Sequence, residues 1–296
     1  MRREDLVHAD CGIAQTLGLV GDWWSWLILR EIAAGLSRFE QLQDALGISR
    51  RALSERLTGL VSDGVLAKQP YSQRPPRHDY VLTGRGEGLL PVLIAMQEFG
   101  DRYMLGDGSV TAVPGERECE RIHTLVGSVL PPITLTAHDG NDVRLGADGS
   151  WQVLYCFPGA WADDAQAYPP GWGSIPGAAG CTLESKTYAA RYDAFVELGC
   201  SPYGISTQRP DQLAAFAALA RLPFPLLSDQ EGDLAAALRL PMFRTAGVER
   251  LKRQSLLVGP DRVVRHVQAP VTDPAGSVDE MLAVVQACVS NPEVSS

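Results

Sequence analysis

The chain carries six cysteines, at positions 11, 119, 156, 181, 200 and 288, and five histidines, with no CxxC pair and no Cys/His cluster at metal-ligand spacing. That scatter argues against a zinc site or a disulfide scaffold, and no metal or other cofactor is expected. One thiol stands apart. The run Val153-Leu-Tyr-Cys-Phe-Pro158 reads as a strand entering a long loop, and IPGAAGCTLESKTYAARYDAFVELG leads from that loop into a helix beginning near Cys181. Tyr188, Tyr192, Phe195 and Val196 give that helix a buried stripe, which places Cys181 in its first turn. Free N–H groups and the helix dipole there favour a thiolate, the form of sulfur that attacks a peroxide oxygen. An arginine close by would lower the thiol pKa further and steady a leaving hydroxide, and Arg253 is the candidate.

The elements that must position these groups belong to a chain of 296 residues, 45% hydrophobic and 21% charged, which is globular and long enough for two cores. Its first residues are polar, and the longest apolar run, 89–96, is far too short to cross a bilayer, so a soluble, cytoplasmic protein without a membrane partner is expected. Gly106-Asp107-Gly108 through Pro114-Gly115 is poor in apolar residues and broken by Gly and Pro. The expected division is therefore a first domain over 1–106, a linker over 107–118 and a second domain over 119–296.

In the first domain, Gly21-Asp22 followed by Trp23 to Leu36 predicts a capped helix. A short helix around Phe39, Leu42 and Leu46 stops at Gly47, and Ser49 is the N-cap of a third helix in which Leu53, Leu57, Leu60 and Val61 repeat at helical spacing. That leaves Ser49, Arg50, Arg51, Ser54 and Arg56 near the outward, N-terminal side, where a recognition helix reads DNA. The runs Val65 to Lys68 and His78 to Leu82 predict two short strands joined by Pro70 to Arg77, a wing whose Arg74 and Arg77 sit among stiffening prolines. The net charge of −9 opposes nucleic-acid binding, but from Arg38 to Arg85 eight basic residues face five acidic ones. In the second domain, strands are predicted at 133–136, 143–145, 153–157, 203–206, 254–258 and 263–267, and helices near 181–198, 209–221, 231–238 and 277–288.

Cys11, GDWWSWLILREIAAG, Arg38-Phe39, ISRRALSERLTGLVSDGVL and PYSQRPPRHDYVLTGRG together resemble the HxlR family of winged-helix regulators over residues 5–105. The resemblance implies a homodimer paired through Leu89 to Tyr103 and a double-stranded DNA partner entered at successive major grooves. From Gly127 to Val285, LPPITLTAHDG, VLYCFP, PGAAGCT, ELGCSPYGIS, LPFPLLSD and LKRQSLLVGPDRVV resemble the peroxiredoxins of the AhpC/TSA class on their bacterioferritin-comigratory side. The fold implied is an α+β winged helix-turn-helix domain followed by an α/β thioredoxin-fold domain. By that resemblance Cys181 matches the peroxidatic cysteine and Arg253 the arginine that polarises the peroxide, while Pro158 and Pro176-Gly177 frame the loop.

The sequence departs from the peroxiredoxin pattern in three places. The usual threonine and proline before the cysteine are Ala178 and Ser174, with a loop over 159–175 intervening, so Thr182 or a group of that loop is the candidate to supply the missing hydrogen bond. The place of a resolving cysteine one turn onward holds Lys186, so an intrahelical disulfide cannot form. Cys156 on the strand, and Cys11 where redox-sensing relatives carry a sensor thiol, are the internal redox candidates; otherwise an external thiol is the reductant. Aromatic residues of the loop, Trp161, Tyr168 and Trp172 among them, either line a pocket or cover the core. A regulator switched by oxidation at Cys181 is the expected function. The alternatives are a thiol-dependent peroxidase keeping its winged helix for dimerisation, and a regulator that binds a metabolite without redox chemistry.

Overall fold

The computed structural model describes residues 5–6, 8–74, 76–146, 149–162 and 168–290. The chain separates into two compact units, residues 1–93 and 94–296, and the division falls inside one helix, Leu90–Gly100.

The first unit runs α1 (Gly12–Val20), α2 (Trp23–Ala33), α3 (Phe39–Leu46), α4 (Arg50–Ser62), β1 (Leu66–Gln73), β2 (Pro76–Leu82) and the single-turn α5 (Gly84–Glu87). Each stop and start has a local cause. Asp22 accepts the N–H of Ser25 at the head of α2, and Ser49 accepts that of Ala52 at 3.2 Å at the head of α4, satisfying amides that a helix start leaves free. Between α3 and α4, Gly47 takes a left-handed φ of 60°, which a side chain would resist. Ile28, Leu29 and Ile32 of α2, Leu42 of α3 and Leu53, Leu57 and Leu60 of α4 bury their apolar stripes against one another with Val65 and Leu66. The wing differs from the sequence expectation: β1 and β2 pair antiparallel from Leu66↔Leu82 to Gln73↔Pro76. Pro70 to Arg77 is thus mostly ladder, interrupted by a bulge between Pro70 and Ser72, because edge prolines are tolerated in a two-stranded ribbon.

α6 (Leu90–Gly100) crosses the division, and a π-helical continuation over Asp101–Leu105 and then α7 (Glu116–His123) follow it. Next come β3 (Thr134–Ala137), β4 (Asp142–Arg144), β5 (Trp151–Cys156), α8 (Cys181–Ala190), α9 (Tyr192–Glu197), β6 (Cys200–Ser206) and α10 (Pro210–Ala220). They are followed by β7 (Leu226–Ser228), α11 (Asp233–Leu238), β8 (Met242–Thr245), β9 (Val248–Leu251), β10 (Gln254–Val258), β11 (Val264–Gln268) and α12 (Gly276–Ser290). Seven strands form a mixed sheet in the order β11-β10-β5-β6-β7-β3-β4, and β8-β9 is a separate hairpin. The central β5, β6 and β7 are parallel and almost wholly buried, as strands covered on both faces must be. A core of Val153, Tyr155, Phe195, Phe216, Leu226, Val278 and Met281 packs the helices on the sheet.

The predicted helix over 181–198 breaks at Arg191 (φ −104°, ψ 2°) into α8 and α9. Tyr188 and Phe195 are buried as expected, but Tyr192 is only half-buried and Val196 is exposed, because the break rotates the second helix. β7, β8, β9 and α7 had no counterpart in the sequence expectation. No described helix is long and apolar enough to cross a membrane.

Candidate functional site

Antiparallel pairing brings the chemistry together. Gln254 opens β10 opposite Cys156, the last residue of β5, so Arg253 stands at the sheet edge where β5 hands over to the loop leading to α8. Seventy-two residues separate Arg253 from Cys181, yet its Nη2 lies 3.2 Å from the sulfur. The same nitrogen donates to the carbonyls of Gly177 at 3.3 Å and Ala179 at 3.1 Å, and Nη1 pairs with the carboxylate of Glu184. Glu184 lies three residues beyond Cys181, on the same face of α8. Arg253 is 1% exposed, Glu184 0% and Cys181 3%, so the triad is an almost dry charge cluster.

The electrostatics differ from the expectation of a simply activated thiol. Burial pushes the Cys181 thiol up from its ordinary value; Arg253 pulls it back, Glu184 pushes it up again, and the Gly159 backbone N–H and the Arg253 hydrogen bond pull it down. The net direction is up, because desolvation of a sulfur this deep outweighs one arginine shared with a carboxylate. Burial also pushes Glu184 up to about 7, although Arg253 opposes it. Burial pulls Arg253 down, but the charges of Cys181 and Glu184 reverse this and hold it well above the ordinary arginine range.

Thr182 is half-buried in the first turn; among the described residues the side chain that donates to the sulfur is Arg253, not the Thr182 hydroxyl. Position 178, where a hydroxyl was missed, contributes a backbone carbonyl that accepts from the thiol at 3.5 Å.

Two aromatic residues of the inserted loop, Trp161 and Trp172, are buried. Trp161 and Trp172 pack edge to face at 5.1 Å within a buried cluster of Ala112, Ala178 and Phe243. The cluster also encloses Arg250 of β9, whose guanidinium lies 5.2 Å from the Trp161 ring centre and 5.4 Å from that of Trp172. Residues 163–167 of the loop lie outside the described residues. Residues 107–118, expected as a linker, are bonded into this unit: the Ala112 N–H donates to Pro176 at 2.8 Å, and the Ala112 carbonyl accepts the Arg253 N–H at 2.9 Å. Gly177, at φ 77°, has no room for a Cβ against Val113. Sequence reasoning missed Glu184, Arg250 and Ala112. The i, i+3 spacing from Cys181 was a usable signal for Glu184; the other two carry none.

Of the remaining thiols, Cys156 is fully buried opposite Gln254, and burial drives its pKa far up, which opposes a reactive role. Cys11 is exposed at the N-cap of α1 and its side chain makes no capping bond.

In the first unit, Arg50, Arg51, Ser54 and Arg56 are exposed on α4, and Arg74 and Arg77 at the tip of the hairpin. Several are engaged. Ser49 caps α4, Arg50 stacks on Phe39 at 4.8 Å, Arg51 pairs with Glu55 at 2.9 Å and Arg56 with Asp22 at 3.2 Å. Exposed pairs of this kind are weak and exchange readily for other anions.

Comparison with known proteins separates an N-terminal from a C-terminal match. Residues 19–107 match the family model of the HxlR-like helix-turn-helix, and residues 175–267 match that of the AhpC/TSA family. An uncharacterized HTH-type transcriptional regulator of Mycobacterium tuberculosis is 42% identical over 106 residues, 35% of this chain and 67% of the relative. Another, from Synechocystis, is 41% identical over 95 residues, 32% of this chain and 70% of its own length. Among solved structures, peroxidoxin BcpB from Mycobacterium tuberculosis is 27% identical, with 55% of this chain and 96% of that one covered at a TM-score of 0.46. A peroxiredoxin Q from Xanthomonas campestris is 24% identical, covering 53% of this chain and 91% of that one at a TM-score of 0.44.

Proposed function

The chain belongs to the HxlR-like helix-turn-helix family and carries a C-terminal AhpC/TSA peroxiredoxin-like domain, and from that premise we propose that it is a transcription regulator whose DNA binding responds to oxidation of Cys181. The observation that carries the reading is the contact of Arg253 Nη2 with the Cys181 sulfur at the first turn of α8, in a chain that also holds a winged helix.

The chemistry is a two-electron transfer. The Cys181 thiolate attacks the terminal oxygen of a hydroperoxide ROOH; an S–O bond forms as the O–O bond breaks, and RO⁻ leaves and takes up a proton as ROH. Sulfur is left as a sulfenic acid. Arg253 stands where a developing oxyanion is stabilised, and its bond to Glu184 holds the guanidinium in place. The sulfenic acid condenses with an external thiol, releasing water and forming a mixed disulfide that a second thiol reduces. In the first unit α4 is the recognition helix, with Arg50, Arg51, Ser54 and Arg56 toward the major groove and Arg74 and Arg77 toward the backbone. The exposed apolar residues Met96, Phe99 and Tyr103 support pairing of two copies.

A second reading is favoured by the engagement of Arg51 with Glu55 and Arg56 with Asp22, which leaves the helix face less cationic than its composition: a thiol-dependent peroxidase whose winged helix serves dimerisation alone. Stopped-flow mixing of the reduced protein with hydrogen peroxide, with dimedone trapping and mass spectrometry, tests the shared chemistry. The reading requires a dimedone adduct at Cys181 that is absent from Cys181→Ser. A wild-type Cys181 that stays reduced under excess peroxide contradicts both redox readings.

A further inference from the structure

The charges around the sulfur do not balance on the residues discussed so far. Once Cys181 ionises, two negative groups, its thiolate and the Glu184 carboxylate, share Arg253. Arg250 is 7% exposed, and among the described residues no carboxylate pairs with it; its Nε has no hydrogen-bond partner. Among the described residues two indole faces lie against this buried guanidinium, and they recover only part of the cost of burying its charge.

Its surroundings point at the sulfur. Arg250 Nη1 donates to the Pro158 carbonyl at 3.5 Å, and the backbone of the next residue, Gly159, pulls the Cys181 thiol pKa down. Gly159 is closely hemmed in: a Cβ there would stand 2.7 Å from the Trp161 ring and 3.3 Å from Arg250 Nη1. Arg250 thus holds the segment whose next residue, Gly159, bears on the Cys181 thiol. Burial lowers the Arg250 pKa to about 10, against a smaller upward pull from the charge of Cys181.

We propose that Arg250 is a positioning residue of the Cys181 site: it supplies the second positive charge for the thiolate and holds the Pro158-Gly159 segment so that the Gly159 N–H meets the sulfur. Trp161 and Trp172 keep water from the guanidinium, so its charge acts at short range and low screening. The proposal rests on the reading that Cys181 works as a thiolate. The groups facing that sulfur are Glu184 on its own helix, Arg253 before β10, Tyr155 on β5 and Arg250 on β9.

The test is the pH dependence of iodoacetamide alkylation at Cys181 in the full-length protein, read on the Cys181 peptide by mass spectrometry. Losing the charge in Arg250→Gln raises the thiol midpoint by about one unit, a roughly tenfold fall in thiolate below it. Arg250→Lys stays within a few tenths of a unit of wild type. Arg250→Met, whose unbranched stem still fits between the indoles, replaces the glutamine variant if that one does not fold. An unmoved midpoint in the neutral variant, or a lysine variant shifted as far as the neutral one, overturns the proposal. Alkylation needs no peroxide, so a midpoint that moves as stated supports Arg250's role even where peroxide fails to oxidise Cys181 and the redox reading falls.

Discussion

The backbone N–H of Arg253 is bonded to the carbonyl of Ala112, 2.9 Å away, so the arginine that holds Cys181 is itself held by the segment that precedes α7. The Ala112 N–H reaches the other side of the site, at Pro176. One residue of that segment is therefore stitched both to the strand edge that presents the cation and to the loop that presents the thiol.

Adding an oxygen to a sulfur that is 3% exposed and 3.5 Å from the Ala178 carbonyl requires the 176–180 loop to move. Ala112 then loses an acceptor. Hydrogen exchange at the 108–114 backbone is expected to speed up when the wild-type protein is treated with peroxide and to stay unchanged in Cys181→Ser. Equal protection before and after oxidation of the wild type would show that the segment is indifferent to the thiol.

Arg253→Gln removes the one ion-pair partner of Glu184 among the described residues and leaves that carboxylate buried. The expected cost is about 3–5 kcal/mol in urea unfolding, relieved in Arg253→Gln/Glu184→Gln. The rate of Cys181 oxidation falls by roughly a hundredfold or more in either. A single variant as stable as wild type would mean that Glu184 is neutral in the native protein.

Asp229 accepts the N–H groups of Leu234 and Ala235 at 2.9 Å each, and burial pushes its carboxyl from 3.8 up to about 7. A carboxylate whose pKa is raised on folding contributes stability that is fully present below its unfolded pKa and is lost as pH rises through the folded value. Glu184 shares this sign. Stability is therefore expected to fall as pH rises from about 4 through 7, and Asp229→Asn is expected to flatten that slope in melting experiments across pH. A wild-type stability that climbs over this window contradicts the assignment.

In the first unit, Arg50→Ala and Arg51→Ala are each expected to reduce the magnitude of the salt slope of DNA binding by about one, measured by fluorescence anisotropy on the DNA upstream of the protein's own gene. Ser49→Ala is expected to cost about 1 kcal/mol of stability through its lost cap. Salt slopes identical to wild type would place the DNA contacts elsewhere or nowhere.

How far the sequence reached depended on how local each cause was. The cap at Ser49, the stop at Gly47 and the placing of Cys181 in a first turn follow from neighbouring residues, and all three are present. The wing strands came out too short because Pro70 and Pro76 read as breakers, whereas an exposed two-stranded ribbon accommodates them. The thiol pKa was expected to fall and instead rises, since local sequence shows the helix start but not the depth of burial. Arg250 and Ala112 gain their importance from β8-β9, from the inserted loop and from backbone bonds between residues distant in sequence, none of which leaves a local pattern.

The most direct test of the central claim is the DNA affinity of one preparation measured reduced, after stoichiometric peroxide, and after re-reduction by a thiol, for wild type and Cys181→Ser in parallel. The account predicts a reversible shift of at least about tenfold in Kd for wild type, on the scale of ordinary allosteric coupling, and none for the variant. Oxidation of Cys181 that leaves the wild-type affinity unchanged would contradict it and leave a peroxidase that carries a winged helix.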